Sequence, residues 1–204
     1  MLKRILITIG RQTGSGGKRV ATALGERLGI PVYDNELITR AAQKSGLSES
    51  FFKQSDERRS FLHLGNIFGA PRYGDFGRNV LNESELFRIQ SETIREIASQ
   101  GSAIFVGRAS DYVLRDIDSL DVFLNSPLEV RVDAVAGREG ISRQEAEELI
   151  LKKDKRRKDY YDLITMGDNW GVASNYDLCI DSSVLGIDGT ADFIIRFGQA
   201  AGRI

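Results

Sequence analysis

The chain has one cysteine (Cys179), one histidine (His63) and one tryptophan (Trp170) in 204 residues. A lone cysteine excludes an internal disulfide and suits a reducing compartment, so a cytoplasmic location is expected. His63 has no carboxylate or cysteine neighbour in a pattern that suggests a catalytic triad or a metal site. Excess charge of one sign is missing too. The formal net charge of −1, with 28% charged residues, argues against a general nucleic-acid binder. No apolar run approaches the roughly 20 residues of a membrane span. The opening MLKRILITIGRQ has too few apolar residues for a signal segment. A soluble protein without membrane or nucleic-acid partners is the expectation. There is no internal repeat and no low-complexity linker, and 41% hydrophobic residues suffice for one well-buried domain with inserted lobes.

What is present is an alternation of short apolar runs and helix-period segments. Arg4 to Gly10, β-branched and apolar, reads as a buried strand. Lys18 to Leu28 carries Val20, Ala21, Leu24 and Leu28 near helical spacing, with Gly29 as its stop. Pro31 to Asp34 reads as a brief second strand, followed by a helix from Asn35 to about Lys44. Ser48 to Asn82 is too apolar for disorder and too irregular for the main core, which suits a substrate lobe. Glu83 to Ser99 is an amphipathic helix, and AIFVG (Ala103 to Gly107) and LDVFL (Leu120 to Leu124) are strands. Pro127 opens a helix through Gly137, and the capping-box pattern Ser142 to Glu145 opens a charged helix to about Tyr161. Tyr176 to Asp181 is a last strand and Thr190 to Phe197 a last helix. Five strands separated by helices predict an α/β three-layer sandwich around a mainly parallel sheet. Ligands of such sheets sit beyond the carboxyl ends of the strands. The Gly10–Lys18 loop, Asp34, Gly107-Arg108, Asn125-Ser126 and Asp181 meet there.

The stretch GRQTGSGGKRVA, between the first strand and the first helix, has the setting of a phosphate cradle. Glycines let backbone N–H groups approach anionic oxygens, and the helix adds its positive end. The standard loop is G-x-x-x-x-G-K-[ST]. With Gly17-Lys18 on the G-K pair, the first glycine becomes Gln12 and the hydroxyl becomes Arg19. With Gly16-Gly17 on that pair, the lysine position is glycine and Lys18 replaces the hydroxyl. Neither register completes the motif. Phosphate contacts are expected from Thr13, Gly14, Ser15, Gly16 and Gly17, with Lys18 and Arg19 supplying charge. The alternative is a glycine-rich turn without a ligand.

Together, ITIGRQTGSGGKRVA, FVGRASDYVL, FLNSPLEVRV, DKRRKDYYD with the NWG beyond it, and NYDLCIDSSVLGIDG resemble the cytidylate-kinase-like family, relatives of the nucleoside monophosphate kinases. The resemblance spans nearly the whole chain. It implies a P-loop kinase fold with an acceptor lobe (48–82) and a lid (128–161), and transfer of the ATP γ-phosphoryl group to CMP or dCMP with Mg²⁺. It implies that Lys18, Arg19, Arg131 and Arg157 serve catalysis, with Arg138 near the lid also approaching ATP. Acceptor contacts would come from Arg108, Asp34, Lys153, Asp154 and Arg156, although Asp34 equally suits an N-cap. The lid departs most from the family pattern: its matched positions are Lys153, Asp154, Arg157 and Tyr160, where classical members carry arginine, aspartate, aspartate and arginine. A basic run, Lys155 to Lys158, can clamp phosphates or form a solvated helix face. Trp170 reads as a packing anchor and Cys179 as inert core. A regulatory nucleotide-binding protein and a kinase of a non-nucleotide alcohol remain as alternatives.

Overall fold

A computed structural model describes residues 4–35, 37–38, 76–167 and 169–204, with 76–85 as helical backbone. Most of the expected acceptor lobe, the helix beyond residue 38 and His63 lie outside the described residues. The elements are β1 (Leu6–Arg11), α1 (Gly17–Leu28), β2 (Val32–Tyr33), α2 (Phe76–Gln100), β3 (Ala103–Val106), α3 (Ser110–Val113), β4 (Leu120–Asn125), α4 (Leu128–Glu139), α5 (Arg143–Thr165), β5 (Leu178–Asp181) and α6 (Ser182–Ala200).

The five strands form one sheet in the order β2-β3-β1-β4-β5, every pair parallel. Strand alternation divides the core into two layers. Ile7, Ile9, Ile104 and Val106 pack with Val20, Ala21 and Leu24 of α1 and Ala191 and Ile194 of α6. Leu6, Ala103 and Phe105 pack on the opposite side with Ile94 and Ala98 of α2 and with Val113 and Leu114. Full burial of each large aliphatic side chain contributes about 1.5–3 kcal/mol. A smaller cluster, Val132, Val135, Ala146 and Ile150, joins α4 to α5.

Several boundaries differ from the sequence reading. β1 extends through Arg11, pairing it with Leu124 of β4. α2 begins at Phe76, so the end of the irregular segment is helical. α6 begins at Ser182, eight residues before the expected start, because a kink at Gly186 (φ 67°) interrupts the apolar period. The capping box forms as expected: Ser142 Oγ accepts from Glu145 N at 3.2 Å, and Ser142 N donates to the Glu145 carboxylate at 2.9 Å. Cys179 is exposed, not core. β5 lies at the sheet edge, where Leu178 and Ile180 face the α1/α6 layer and the intervening residue turns the other way.

Candidate active site

The loop after β1 is shaped by two left-handed glycines, Gly14 (φ 89°) and Gly16 (φ 76°). A Cβ on Gly14 would lie 2.8 Å from Arg131 Cβ, so α4 packs directly on the loop. Gly16 is the N-cap of α1, which has no side-chain cap and no acidic residue in its first turn. The helix therefore offers its first N–H groups and its dipole to an anion without internal competition.

Long side chains from α4 and α5 tie this loop to the rest of the chain. Asp154 Oδ1 accepts from Thr13 N at 2.7 Å and from Arg157 Nη1 at 3.1 Å, and Oδ2 accepts from Arg131 Nη1 at 2.8 Å. Arg131, buried, also donates to Ser126 O and Thr13 O, and Arg157 donates to Thr13 Oγ1 at 2.6 Å. Ser182 Oγ donates to Ser15 O at 2.7 Å, joining β5 and α6 to the same loop.

Beside the loop lies a cavity of about 930 Å³ at the carboxyl ends of β1 and β3. Part of its lining is cationic, with Arg11, Arg108, Arg156 and Arg157. Burial pushes the Arg11 guanidinium down to about 10, aided by repulsion from Arg157 and Arg108. Burial likewise lowers Arg157, against the opposing effect of Asp154. Arg108 donates to Asn35 Oδ1 and lies 5.1 Å above the Tyr160 ring. The Arg108 backbone has φ 62°, as an αL residue held by its surroundings.

Another part of the lining is aromatic and acidic: Asp111, Tyr160, Tyr161, Trp170 and Tyr176. Tyr161 OH donates to Asp111 Oδ2. Burial raises the Asp111 carboxyl to about 6, although the Tyr161 hydrogen bond opposes the shift. Burial and the neighbouring Asp111 raise both Tyr161 and Tyr176, keeping their hydroxyls protonated. Phe123 stands edge-on to Trp170 at 5.4 Å and packs against Tyr176 at 5.0 Å. Trp170 is thus a packing anchor that also faces the cavity.

Lys18 Nζ pairs with Asp34 Oδ2 at 2.8 Å, while Asp34 Oδ1 accepts from Leu37 N at 3.1 Å, the N-cap arrangement. Arg19 is exposed, and Lys153 is half-buried outside the cavity lining. Arg138 is exposed and its guanidinium pairs with Glu139. Lys155 and Lys158 form i,i+4 ion pairs with Asp159 and Asp162 along α5, so those two members of the basic run are engaged on the helix. Asp181 caps α6, accepting from Ser183 N at 2.9 Å. Arg11, Asp111, Tyr161 and Tyr176 were not singled out from the sequence. Arg11 alone had a signal: it occupies the first-glycine position when Gly16-Gly17 is taken as the G-K pair.

Among the described residues there is no group of three or more His, Cys, Asp or Glu side chains suited to a metal, and no helix long and apolar enough to cross a membrane.

The model of the cytidylate kinase-like family matches residues 6–184. The cytidylate kinase of Methanopyrus kandleri is 30% identical over 189 residues, spanning 88% of this chain and 85% of that protein. A solved structure of an uncharacterized protein from Eubacterium ventriosum is similar with a TM-score of 0.72 at 26% identity, covering 95% of this chain and 98% of the other. Shikimate kinase from Bacteroides thetaiotaomicron matches with a TM-score of 0.54 at 11% identity, over 98% and 99% of the two chains, a likeness of P-loop kinase fold alone. With the glycine loop opening α1 and the all-parallel sheet beneath it, the chain belongs to the cytidylate kinase-like family and is an enzyme of the nucleoside monophosphate kinase kind.

Proposed function

We propose that the enzyme transfers the terminal phosphoryl group of ATP to a pyrimidine nucleoside monophosphate, with CMP and dCMP as the acceptors. The observation that carries this reading is the two-part cavity beside the glycine loop, cationic where an acceptor phosphate would sit and aromatic-acidic where a base would sit. Phosphoryl transfer needs charge neutralisation and in-line positioning more than covalent chemistry. The uncapped N–H groups of α1 would hold the donor phosphates. Arg108 and Arg156 line the acceptor side, and Arg157 bridges it to the loop through Thr13. Tyr160, under Arg108, stands at a lid position where classical members carry arginine. It offers a ring face in place of a charge.

Magnesium, carried in with ATP, would screen the outer phosphate oxygens. Asp34 lies beside the start of α1, but its two oxygens are engaged by Lys18 and by Leu37 N, so phosphate oxygens and water would supply most of the ion's ligands. Asp111 and Tyr161 supply a hydrogen-bonding wall that suits a ring bearing exocyclic polar groups.

The test is turnover by the purified protein with ATP, Mg²⁺ and a panel of nucleoside monophosphates, extended to small-molecule alcohols. ADP release is expected with CMP or dCMP ahead of the purine monophosphates. ADP at background with every monophosphate sinks the proposal. Nucleotide binding by calorimetry without turnover points to a regulatory protein, and turnover on an alcohol points to a different kinase.

A further inference from the structure

We infer that Arg11 takes the place of the lysine of a standard phosphate loop, its guanidinium reaching the outer phosphates of ATP from β1 instead of from α1. The ligand of this site rests on the ATP-dependent reading above. The register comes from the backbone. α1 opens at Gly17 with Gly16 as its left-handed N-cap, which sets Gly16-Gly17 on the glycine-lysine pair of G-x-x-x-x-G-K-[ST]. The lysine position is then Gly17, and the first-glycine position, five residues before Gly16, is Arg11. Two departures from one motif thus fall on residues that touch each other.

Space shows that they compensate. A Cβ on Gly17 would lie 2.7 Å from Arg11 Cγ and 2.8 Å from Arg11 Cβ. The stem of Arg11 fills the volume through which a side chain at position 17 would leave the helix. Its guanidinium ends over Gly107 (φ 77°), where any Cβ would collide with Nη1. Glycines at both contacts make room for one arginine.

Charge points the same way. The Arg11 guanidinium makes no hydrogen bond or ion pair to any described residue, although it carries five donors. Arg157 and Arg108 repel it, and the carboxylates that act on it, Asp34 and Asp154, are themselves engaged by Lys18, Arg131 and Arg157. Leaving a largely buried cation unpaired is costly, and a polyphosphate supplies the missing partner. The loop's own lysine is turned elsewhere, with Lys18 Nζ 2.8 Å from Asp34.

Reciprocal rescue tests the assignment. Wild type, Arg11→Gly, Gly17→Lys and the double variant are compared for binding of ATP and AMP, with Mg²⁺ and no acceptor, by calorimetry. Arg11→Gly is expected to weaken ATP about 10–100-fold, the range of a charge-assisted hydrogen bond, and to leave AMP within about twofold. Gly17→Lys alone also weakens ATP, because its stem meets Arg11. The double variant, which restores G-x-x-x-x-G-K, returns to within about fivefold of wild type. Arg11→Met keeps the stem without the charge, and thermal unfolding confirms that each variant is folded. A folded Arg11→Met with wild-type ATP affinity overturns the inference, as does a double variant no better than its single parents. Arg11-dependent ATP binding without monophosphate turnover supports this inference while sinking the proposed reaction. CMP turnover with ATP affinity independent of Arg11 does the reverse, and a wild type that binds no ATP overturns both.

Discussion

The cationic and aromatic parts of the cavity lining are built on opposite principles. Arg11, Arg108 and Arg157 come from β1, the end of β3 and α5, and two of these charges repel the third. Asp111 and Tyr161 close on each other through a hydrogen bond, and Trp170 and Tyr176 pack on Phe123, one ring edge-on and the other tilted. The first part holds charge that a ligand would neutralise, whereas the second satisfies most of its polar groups within the protein. Substitutions of the cationic side chains themselves should therefore be felt in binding, whereas substitutions of the groups that anchor them, or of the second part, should be felt in stability.

The largest stability effect is expected where the cationic part is cross-linked to the loop. Asp154→Ala leaves Arg131, buried, without its carboxylate and frees Thr13 N. A loss of about 3–4 kcal/mol in urea unfolding is expected, as for a broken buried pair. A change below about 0.5 kcal/mol, the range of ordinary surface substitutions, would remove the cross-link from the comparison.

Asp111 sharpens the other side. Its folded carboxyl is raised from 3.8 to about 6, so between those values the folded chain holds a proton that the unfolded chain has released. The stability that this group confers is full below 3.8, falls as pH rises toward 6, and stays flat above. Asp111→Asn removes that slope. Unfolding free energies measured from pH 4 to 7 should shift in the variant's favour by about 2–3 kcal/mol as pH rises. A pH-independent difference between the two proteins would contradict it.

The smallest effect belongs to a residue outside both parts. Cys179→Ser is expected to change stability by less than about 0.5 kcal/mol, because the thiol is exposed at the sheet edge. Thiol labelling of the native protein should modify this one group, and protection until unfolding would return Cys179 to the core.

The fold was legible because its cues are local. Runs such as ILITIG and AIFVG alternate between two helix layers, Gly29 ends α1 in the left-handed conformation, and Ser142 and Glu145 form the capping box. The site was legible only in outline. Arg108 and Arg157 reach the cavity, but Asp154 bonds to Arg131, Arg157 and the loop, and Arg138 pairs with its own neighbour. Asp111 and Tyr161 are 50 positions apart and carry no motif, so nothing local announces their contact.

By itself, the sequence determined the strands, the helix boundaries set by glycine and serine caps, and the glycine-rich turn after β1, since each depends on residues within a few positions. The tertiary structure alone decided the strand order, the docking of Asp154 on Thr13 and the course of Arg11 across Gly17 toward Gly107. Those features depend on long side chains meeting backbone from distant elements, and only the packing of the parallel strands with α1, together with the docking of α4 and α5 on the loop after β1, brings them within reach.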